Sequence, residues 1–281
     1  MKKNIENLIA FVHIEKAAGQ TFIRILENNF KYKHCRVAPL NKKNKGIFSV
    51  DDLKLILKIN PFTQAISGHS IKPFSNLATY IPHIRYVTIL RDPVERYISH
   101  YQYWVKVLKK NIKFEDFLKL DSMRDFQTKK IAGAPIIQEA KRILSDEFFL
   151  VGVLENFDYF LALLKIKLSP YEFNCEYKKK NVAKNNFLKV NIDQKLEKYK
   201  KEILFNNRND IELYSYAKNY IFQKQKEAAL LTTNEKNIDF ENSYHYQMKN
   251  ELIGKLYRNL YYGPIFSFLR YKNGLDIKGS Y

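Results

Sequence analysis

The chain has 281 residues, 46% of them hydrophobic and 15% aromatic, which suits one large domain or two small ones and excludes disorder for most of its length. Lys and Arg total 48 against 29 Asp and Glu, a formal charge of +19, which favours anionic partners: nucleotides, nucleic acid, sulfated or uronate-bearing glycans, or acidic lipid. The excess is diffuse, and its longest runs, Lys178–Lys180 and Lys198–Lys201, read as solvated faces rather than binding stripes.

No run of about 18 or more apolar residues occurs, so no membrane span is expected. The apolar run Leu8–Ile14 is too short for a signal segment with its cleavage site, and a soluble, cytoplasmic protein whose fold starts near its first residue is expected. Cys35 and Cys175 lack metal-ligand spacing and are expected to be free thiols, with no bound metal.

Taken in chain order, LIAFVHI (8–14) has the continuous apolar and β-branched character of a strand buried on both faces of a parallel sheet. The loop EKAAGQT follows, then a helix in which Phe22, Ile25, Leu26 and Phe30 recur at helical spacing. Asp51 and Asp52 are expected to cap a helix that ends before Pro61. QAIS (64–67) is a short strand that delivers Gly68 and His69 at its carboxyl end. RYVTIL (85–90) is the next strand, and Asp92-Pro93 opens a long helix, with Asp as cap and Pro in the first turn.

FFLVGVL (148–154) repeats the pattern of strand into helix. Such alternation predicts an α/β fold with a mostly parallel central sheet flanked by helices, and with ligands at the carboxyl ends of the strands. From about Ser169 the chain reads as loops and helices, including a long helix from about Asp210 to Leu230. Residues 1–231 are expected to form the main domain. Residues 232–281 form an Asn-rich join and an aromatic, basic helical extension, YRNLYYGPIFSFLRY, expected to pack on the same domain, with peripheral membrane contact as the alternative.

Two loops carry the chemistry. Ala17, Ala18 and Gly19 lie between a buried strand and a helix, where backbone N–H groups and the helix dipole attract phosphate; Lys16 adds fixed charge and Thr21 a hydroxyl. The pattern GxxxxGK[ST] is absent, and an ordinary tight turn has the same composition. Arg91, at a strand end, and Ser99, in the helix after it, are placed to grip a second phosphate, while Asp92 and Arg96 are expected to pair and lock the corner. His69 follows a glycine at a strand end, facing the same cleft, with the pKa of a general base. His13 is expected to be core, His100 lies beside Ser99 on its helix, and His34, His83 and His245 have no constellation around them.

In order, FVHIEKAAGQTF, SGHS and YVTILRDPVERYISHY resemble the sulfotransferases that use 3′-phosphoadenosine 5′-phosphosulfate (PAPS), particularly the carbohydrate branch that includes the uronyl and heparan sulfate 2-O-sulfotransferases. The resemblance continues through DFQTKKIAG, FLVGVLENFD, KKNVAKNN and NDIELYSYA, covering roughly residues 8–222. It implies a P-loop-like three-layer sandwich and transfer of a sulfuryl group from PAPS, without metal, to a hydroxyl of a saccharide or polysaccharide, not to nucleic acid.

Carried over by position, the resemblance assigns Lys16, Ala17, Ala18, Gly19, Gln20 and Thr21 to the 5′-phosphosulfate, and Arg91 and Ser99 to the 3′-phosphate. Asn181 and Lys184 fall on a loop closing over the nucleotide. His69 becomes the base, and Lys16 also neutralises charge developing at the transferred group. The chain departs from the family in having Glu15 where Pro is common and Ala17-Ala18 where Thr-Gly is common. Glu15 is expected to turn away from the anion site and pair with a basic residue, the change bearing on donor affinity more than on reaction type. The branch's Golgi enzymes are membrane-anchored, whereas this chain reads as cytoplasmic and bacterial. Two alternatives stay open: a P-loop-like nucleotide or metabolite kinase, and a non-enzymatic polyanion-binding protein.

Overall fold

Parallel strands covered on both faces are mainly apolar, and four of the five strands of this chain follow that rule. The structure, a computed structural model, describes residues 7–177, 197–232 and 248–275. Strands β1 (Ile9–Val12), β2 (His34–Arg36), β3 (Ala65–Gly68), β4 (Arg85–Leu90) and β5 (Phe148–Val153) form one sheet in the order β2-β3-β1-β4-β5. Every pairing is parallel. All four residues of β1 are buried, as are five of the six in β4. With the helices around it, this is an α/β architecture consistent with three layers.

Val12 lies opposite both Gly68 and Thr88, so the loops after β1, β3 and β4 leave the sheet at one edge. The loop after β1 enters α1 (Gly19–Phe30), and the corner after β4 enters α3 (Pro93–Lys106). Asp92 caps α3 as its sequence suggests, its carboxylate accepting the Glu95 N–H at 3.0 Å, with Pro93 in the first turn. Helix α2 (Val50–Ile59) is capped differently from expectation. Ser49 is its cap, and Asp52, in the third helical position, accepts the Ser49 N–H in a capping box.

Strand β2 has no counterpart in the sequence reading. It is a polar, three-residue edge strand, His-Cys-Arg, whose side chains bond to neighbouring elements: His34 Nε2 is 2.9 Å from Ser67 Oγ, and Cys35 Sγ is 3.4 Å from Thr63 Oγ1. Cys35 and Cys175 are free thiols.

After β4 come α3, α4 (Phe114–Lys119), α5 (Phe126–Ala132) and α6 (Ile137–Asp146); α7 (Phe157–Leu168) follows β5. Beyond α8 (197–206), the expected long helix is α9 (Arg208–Tyr216) continued through a π turn at Ala217–Ile221 into α10 (Phe222–Thr232). The C-terminal aromatic segment is likewise helical, α11 (Met248–Tyr257) passing through a π turn at Arg258–Tyr262 into α12 (Gly263–Lys272). Tyr262 and Phe266 are buried in the same apolar cluster as the sheet. The Tyr262 hydroxyl donates to the Arg36 carbonyl at 2.8 Å, and Glu27 on α1 receives both Arg36, at 2.7 Å, and Arg258, at 3.0 Å. Among the described residues no helix is long and apolar enough to cross a membrane.

Candidate active site

At the carboxyl edge of the sheet, the loops after β1, β3, β4 and β5 enclose a cavity of about 560 Å³. Lys16, Ala18, Gly19, Gln20, Thr21, His69, Arg91 and Ser99 all line it. Of the residues singled out from sequence, Ala17 does not: its side chain is in the core and its N–H donates to the Ile14 carbonyl. Asn181 and Lys184 lie outside the described residues. A separate hollow of about 590 Å³ near Asn7, His83 and Glu147 opens at the opposite, amino edge of the sheet, away from all of these groups.

The first loop earns its shape through backbone strain. Lys16 and Ala18 both adopt the left-handed conformation, with φ of 71° and 58°, which an L-residue with a Cβ adopts at a cost of about 1 kcal/mol or more. The turn ends in α1, whose amino end has no side-chain cap, so the first N–H groups of the helix are donors without an intrahelical acceptor. Gly19 is required there: a Cβ would come within 1.9 Å of the His13 ring. His13 itself, one residue past β1, is buried and stacks on His69 with ring centroids 4.0 Å apart. Burial first, and then the neighbouring His69 ring, hold His13 well below the usual histidine range, so it is neutral.

Two cations converge on the uncapped turn. Arg91 Nη1 donates to the Lys16 carbonyl at 3.1 Å and its Nη2 pairs with Glu95 at 3.2 Å. The Arg91 peptide is bracketed by Gln127, whose Oε1 accepts the Arg91 N–H at 3.0 Å and whose Nε2 donates to the Arg91 carbonyl at 2.9 Å. The Lys16 ammonium lies 4.4 Å from the centre of the Tyr103 ring. Burial and the nearby Arg91 charge both lower its pKa; an anion placed between the two cations would relieve that repulsion.

Helix α5 connects the two halves of the site. Its amino end is capped from α9, where the buried Asp210 accepts the Gln127 N–H, the Thr128 N–H and the Thr128 hydroxyl at 2.8 to 2.9 Å. That anchoring fixes Gln127 against Arg91 and projects Lys130 toward β3. Lys130, 4% exposed, pairs with Glu15 at 3.1 Å and donates to the His69 carbonyl at 2.7 Å.

Glu15 therefore does find a basic partner, yet it stays on the wall of the cavity. Its other contact is with His69, Nδ1 to Oε1, at 3.1 Å. Burial would raise the Glu15 pKa, but the Lys130 charge and the His69 hydrogen bond outweigh it and hold the carboxyl well below its ordinary range. An ionised Glu15 makes Nδ1 of His69 the donor, which leaves the Nε2 lone pair available as a base.

The expected Asp92–Arg96 ion pair does not form, because the Asp92 carboxylate turns back to cap α3. Arg96 is fully buried instead, its guanidinium 4.4 Å from the Phe126 ring centre and its Nη1 3.1 Å from His100 Nδ1. Arginine can only donate, so Nδ1 of His100 accepts and Nε2 carries the proton. Burial, and then the Arg96 charge, push His100 down to about 4, making it a neutral member of the cavity wall.

Sequence reasoning placed His100 beside Ser99 without a role, and gave none to Lys130 or to the wall formed by Leu154, Glu155, Phe157, Asp158 and Tyr177. Glu155 accepts from the Asp92 N–H and the Tyr214 hydroxyl, and Asp158 from the Tyr177 hydroxyl, so both carboxylates are held by donors. The rings of Phe157 and Tyr177 meet edge to face with centroids 5.0 Å apart, an aromatic patch on the wall of the same cavity. Leu154, Glu155, Phe157 and Asp158 fall within the FLVGVLENFD segment of the resemblance, which gave them no role. A scan against models of known protein families gives no match, and no curated protein matches the chain.

Proposed function

We propose that the protein is a PAPS-dependent sulfotransferase acting on a carbohydrate hydroxyl. The observation that carries this reading is the convergence, on one cavity, of an uncapped helix start with Lys16, a second cationic corner with Arg91 and Ser99, and a carboxylate-oriented histidine, His69. Two cationic corners and an aromatic patch in one cavity suit a nucleotide with phosphate groups at both ends of its ribose.

When bound, PAPS supplies the sulfuryl group, its S–O bond to the 5′-phosphate breaking as a new S–O bond forms to the acceptor oxygen. The N–H groups at the start of α1, the Thr21 hydroxyl and Lys16 hold the 5′ end. Arg91 and Ser99 hold the 3′-phosphate. His69 Nε2 takes the acceptor proton, and Glu15 steadies the resulting imidazolium through Nδ1. Lys16 neutralises charge that builds on the departing oxygen. The altered loop still leads into the uncapped start of α1, whose first N–H groups are unaffected by the side chains at Ala17 and Ala18. The free thiols fit a reducing, cytoplasmic setting.

The test is transfer of label from sulfur-labelled PAPS to a pool of acidic and neutral oligosaccharides, run beside γ-labelled ATP. Label moving from PAPS alone supports the reading. Label moving from ATP alone would make the protein a kinase, and polyanion binding without either transfer would make it a binding protein.

A further inference from the structure

The C-terminal helix is apolar on the side it buries and also on the side it turns outward. Along α11 and α12 the buried row falls at every fourth residue: Gly254, Tyr262, Phe266 and Arg270 are buried, and Arg258, in the same row, pairs with Glu27 at 3.0 Å. Close packing sets this face, since a Cβ on Gly254 would lie 3.7 Å from the Lys31 backbone. In a straight α-helix such a row drifts around the axis by about 40° per step. The wider π turn at Arg258–Tyr262 turns it back toward the core.

The same count fixes the opposite row. Leu256, Leu260, Pro264 and Phe268 each stand two residues past a member of the buried row, about 200° around the axis. All four are exposed, Leu260 by 76% and Phe268 by 63%, and the stripe they form is about 18 Å long at the helical rise. Tyr32 and Phe62, also exposed, continue it: the Tyr32 ring meets Tyr257 and Phe62 edge to face, with centroids 6.1 and 6.2 Å away. A surface helix ordinarily turns polar groups outward, and contiguous exposed leucines and aromatic rings mark a contact surface.

Cations frame the stripe. Lys255 and Lys272 are exposed on the helix itself, and the exposed Lys58 precedes Ile59, whose carbonyl accepts the Tyr261 hydroxyl at 3.3 Å. Glu27, the carboxylate under the helix, is held by both Arg36 and Arg258. Like charge opposes a second copy of a chain that carries +19. An anionic surface with an apolar interior matches both the leucines and the lysines.

We propose that α11 and α12 lie along the surface of an anionic lipid bilayer, with Leu256, Leu260 and Phe268 among the acyl chains and Lys58, Lys255 and Lys272 against lipid phosphates. The tyrosines beside the stripe, with an apolar ring and a polar tip, sit at headgroup level. The helix rests on the membrane and does not cross it. Nothing in this surface depends on the reaction at His69, so it stands or falls apart from the sulfotransferase reading.

The probe is co-sedimentation of the full chain with vesicles of mixed phosphatidylglycerol and phosphatidylcholine, with phosphatidylcholine vesicles as comparator. Sedimentation velocity reads the oligomeric state. The chain is expected to be a monomer that binds the mixed vesicles and not the neutral ones, with binding that falls as salt rises. Leu256→Gln and Leu260→Gln should each weaken binding about tenfold, the loss of one inserted leucine. Lys255→Ala should weaken it about fivefold. Leu231→Gln, at an 88% exposed position on α10, should leave it unchanged. Each replaced side chain is exposed, so thermal unfolding of every variant should match the parent.

No binding to the mixed vesicles, equal binding to both kinds of vesicle, or indifference to Leu256→Gln and Leu260→Gln would overturn the proposal. A dimer that these two variants dissociate would overturn it as well, by giving the face to a second copy of the chain.

Discussion

Glu15→Gln removes the one negative charge that both holds Nδ1 of His69 and balances Lys130. At 3.1 Å and an effective dielectric of about 20, the Glu15–Lys130 attraction is about 5 kcal/mol, set against a desolvation cost of several kcal/mol for the buried ammonium. Lys130 keeps its bond to the His69 carbonyl, so the expected net loss of stability near neutral pH is about 3 kcal/mol, the lower end for breaking a buried pair. The pH dependence has a definite sign. Glu15 is held below its ordinary value of 4.5 in the folded protein, so above that value both folded and unfolded chains are ionised and the contribution is complete. As pH falls below it, the unfolded chain takes up the proton first, and the contribution shrinks by about 1.4 kcal/mol per unit.

The other titratable groups facing Glu15 are His69, His13 and Lys130, with Lys72, pushed down to about 7 by burial and the Lys130 charge, behind them. These groups remain in the variant, where His13 and Lys72 lose the Glu15 charge that raises their pKa. Urea unfolding followed by the fluorescence of Trp104 should show the gap between parent and variant near pH 7 narrowing by about 1 kcal/mol near pH 3.5. A variant within about 0.5 kcal/mol of the parent near pH 7, or a gap that does not change with pH, would refute the role given to Glu15.

Neighbouring positions in the first loop should respond with opposite sign. Ala18→Gly relieves a left-handed alanine and should raise stability by about 0.5–1 kcal/mol in thermal unfolding, whereas Gly19→Ala drives a Cβ into the His13 ring and should lower it by about 1–3 kcal/mol. No difference between these two variants would show that the strain does not reside in the loop. His69→Ala should reduce the turnover of sulfuryl transfer by about 10²- to 10⁴-fold while bisphosphate affinity changes little. Near-parental turnover would remove His69 from the chemistry. Glu27→Ala, which leaves Arg36 and Arg258 without their shared carboxylate, should cost about 3 kcal/mol, measured by the same urea method.

What was legible in the sequence follows from the physics of each element. Strands β1, β3, β4 and β5 announce themselves because burial on both faces leaves no room for polar alternation. Strand β2 does not, since its buried His34 and Cys35 bond to Ser67 and Thr63, contacts that exist only once the chain has folded. Ser49 outcompeted Asp51 and Asp52 as a cap because the serine sits one residue before the first helical turn, leaving Asp52 free to complete the box. Asp92 and Arg96 have the spacing of a helical ion pair, but the cap claimed the carboxylate.

In the candidate site, Lys16, Arg91, Ser99 and His69 could be picked out because each stands at a strand end or in the first turns beyond it. The pairing of Glu15 with Lys130 could not, as 115 residues separate them. Nor could the contact of Arg270 with Pro39, which brings the C-terminal helix against the segment after β2.

The most direct measurement is calorimetric titration of the full chain with adenosine 3′,5′-bisphosphate, with 5′-AMP and ATP as comparators and Arg91→Ala as control. Binding that depends on the 3′-phosphate and weakens about ten- to hundredfold in Arg91→Ala, as loss of a charge-assisted bond requires, is the expected result. Equal affinity for 5′-AMP or ATP, or indifference to Arg91, would contradict the donor site and with it the sulfotransferase assignment.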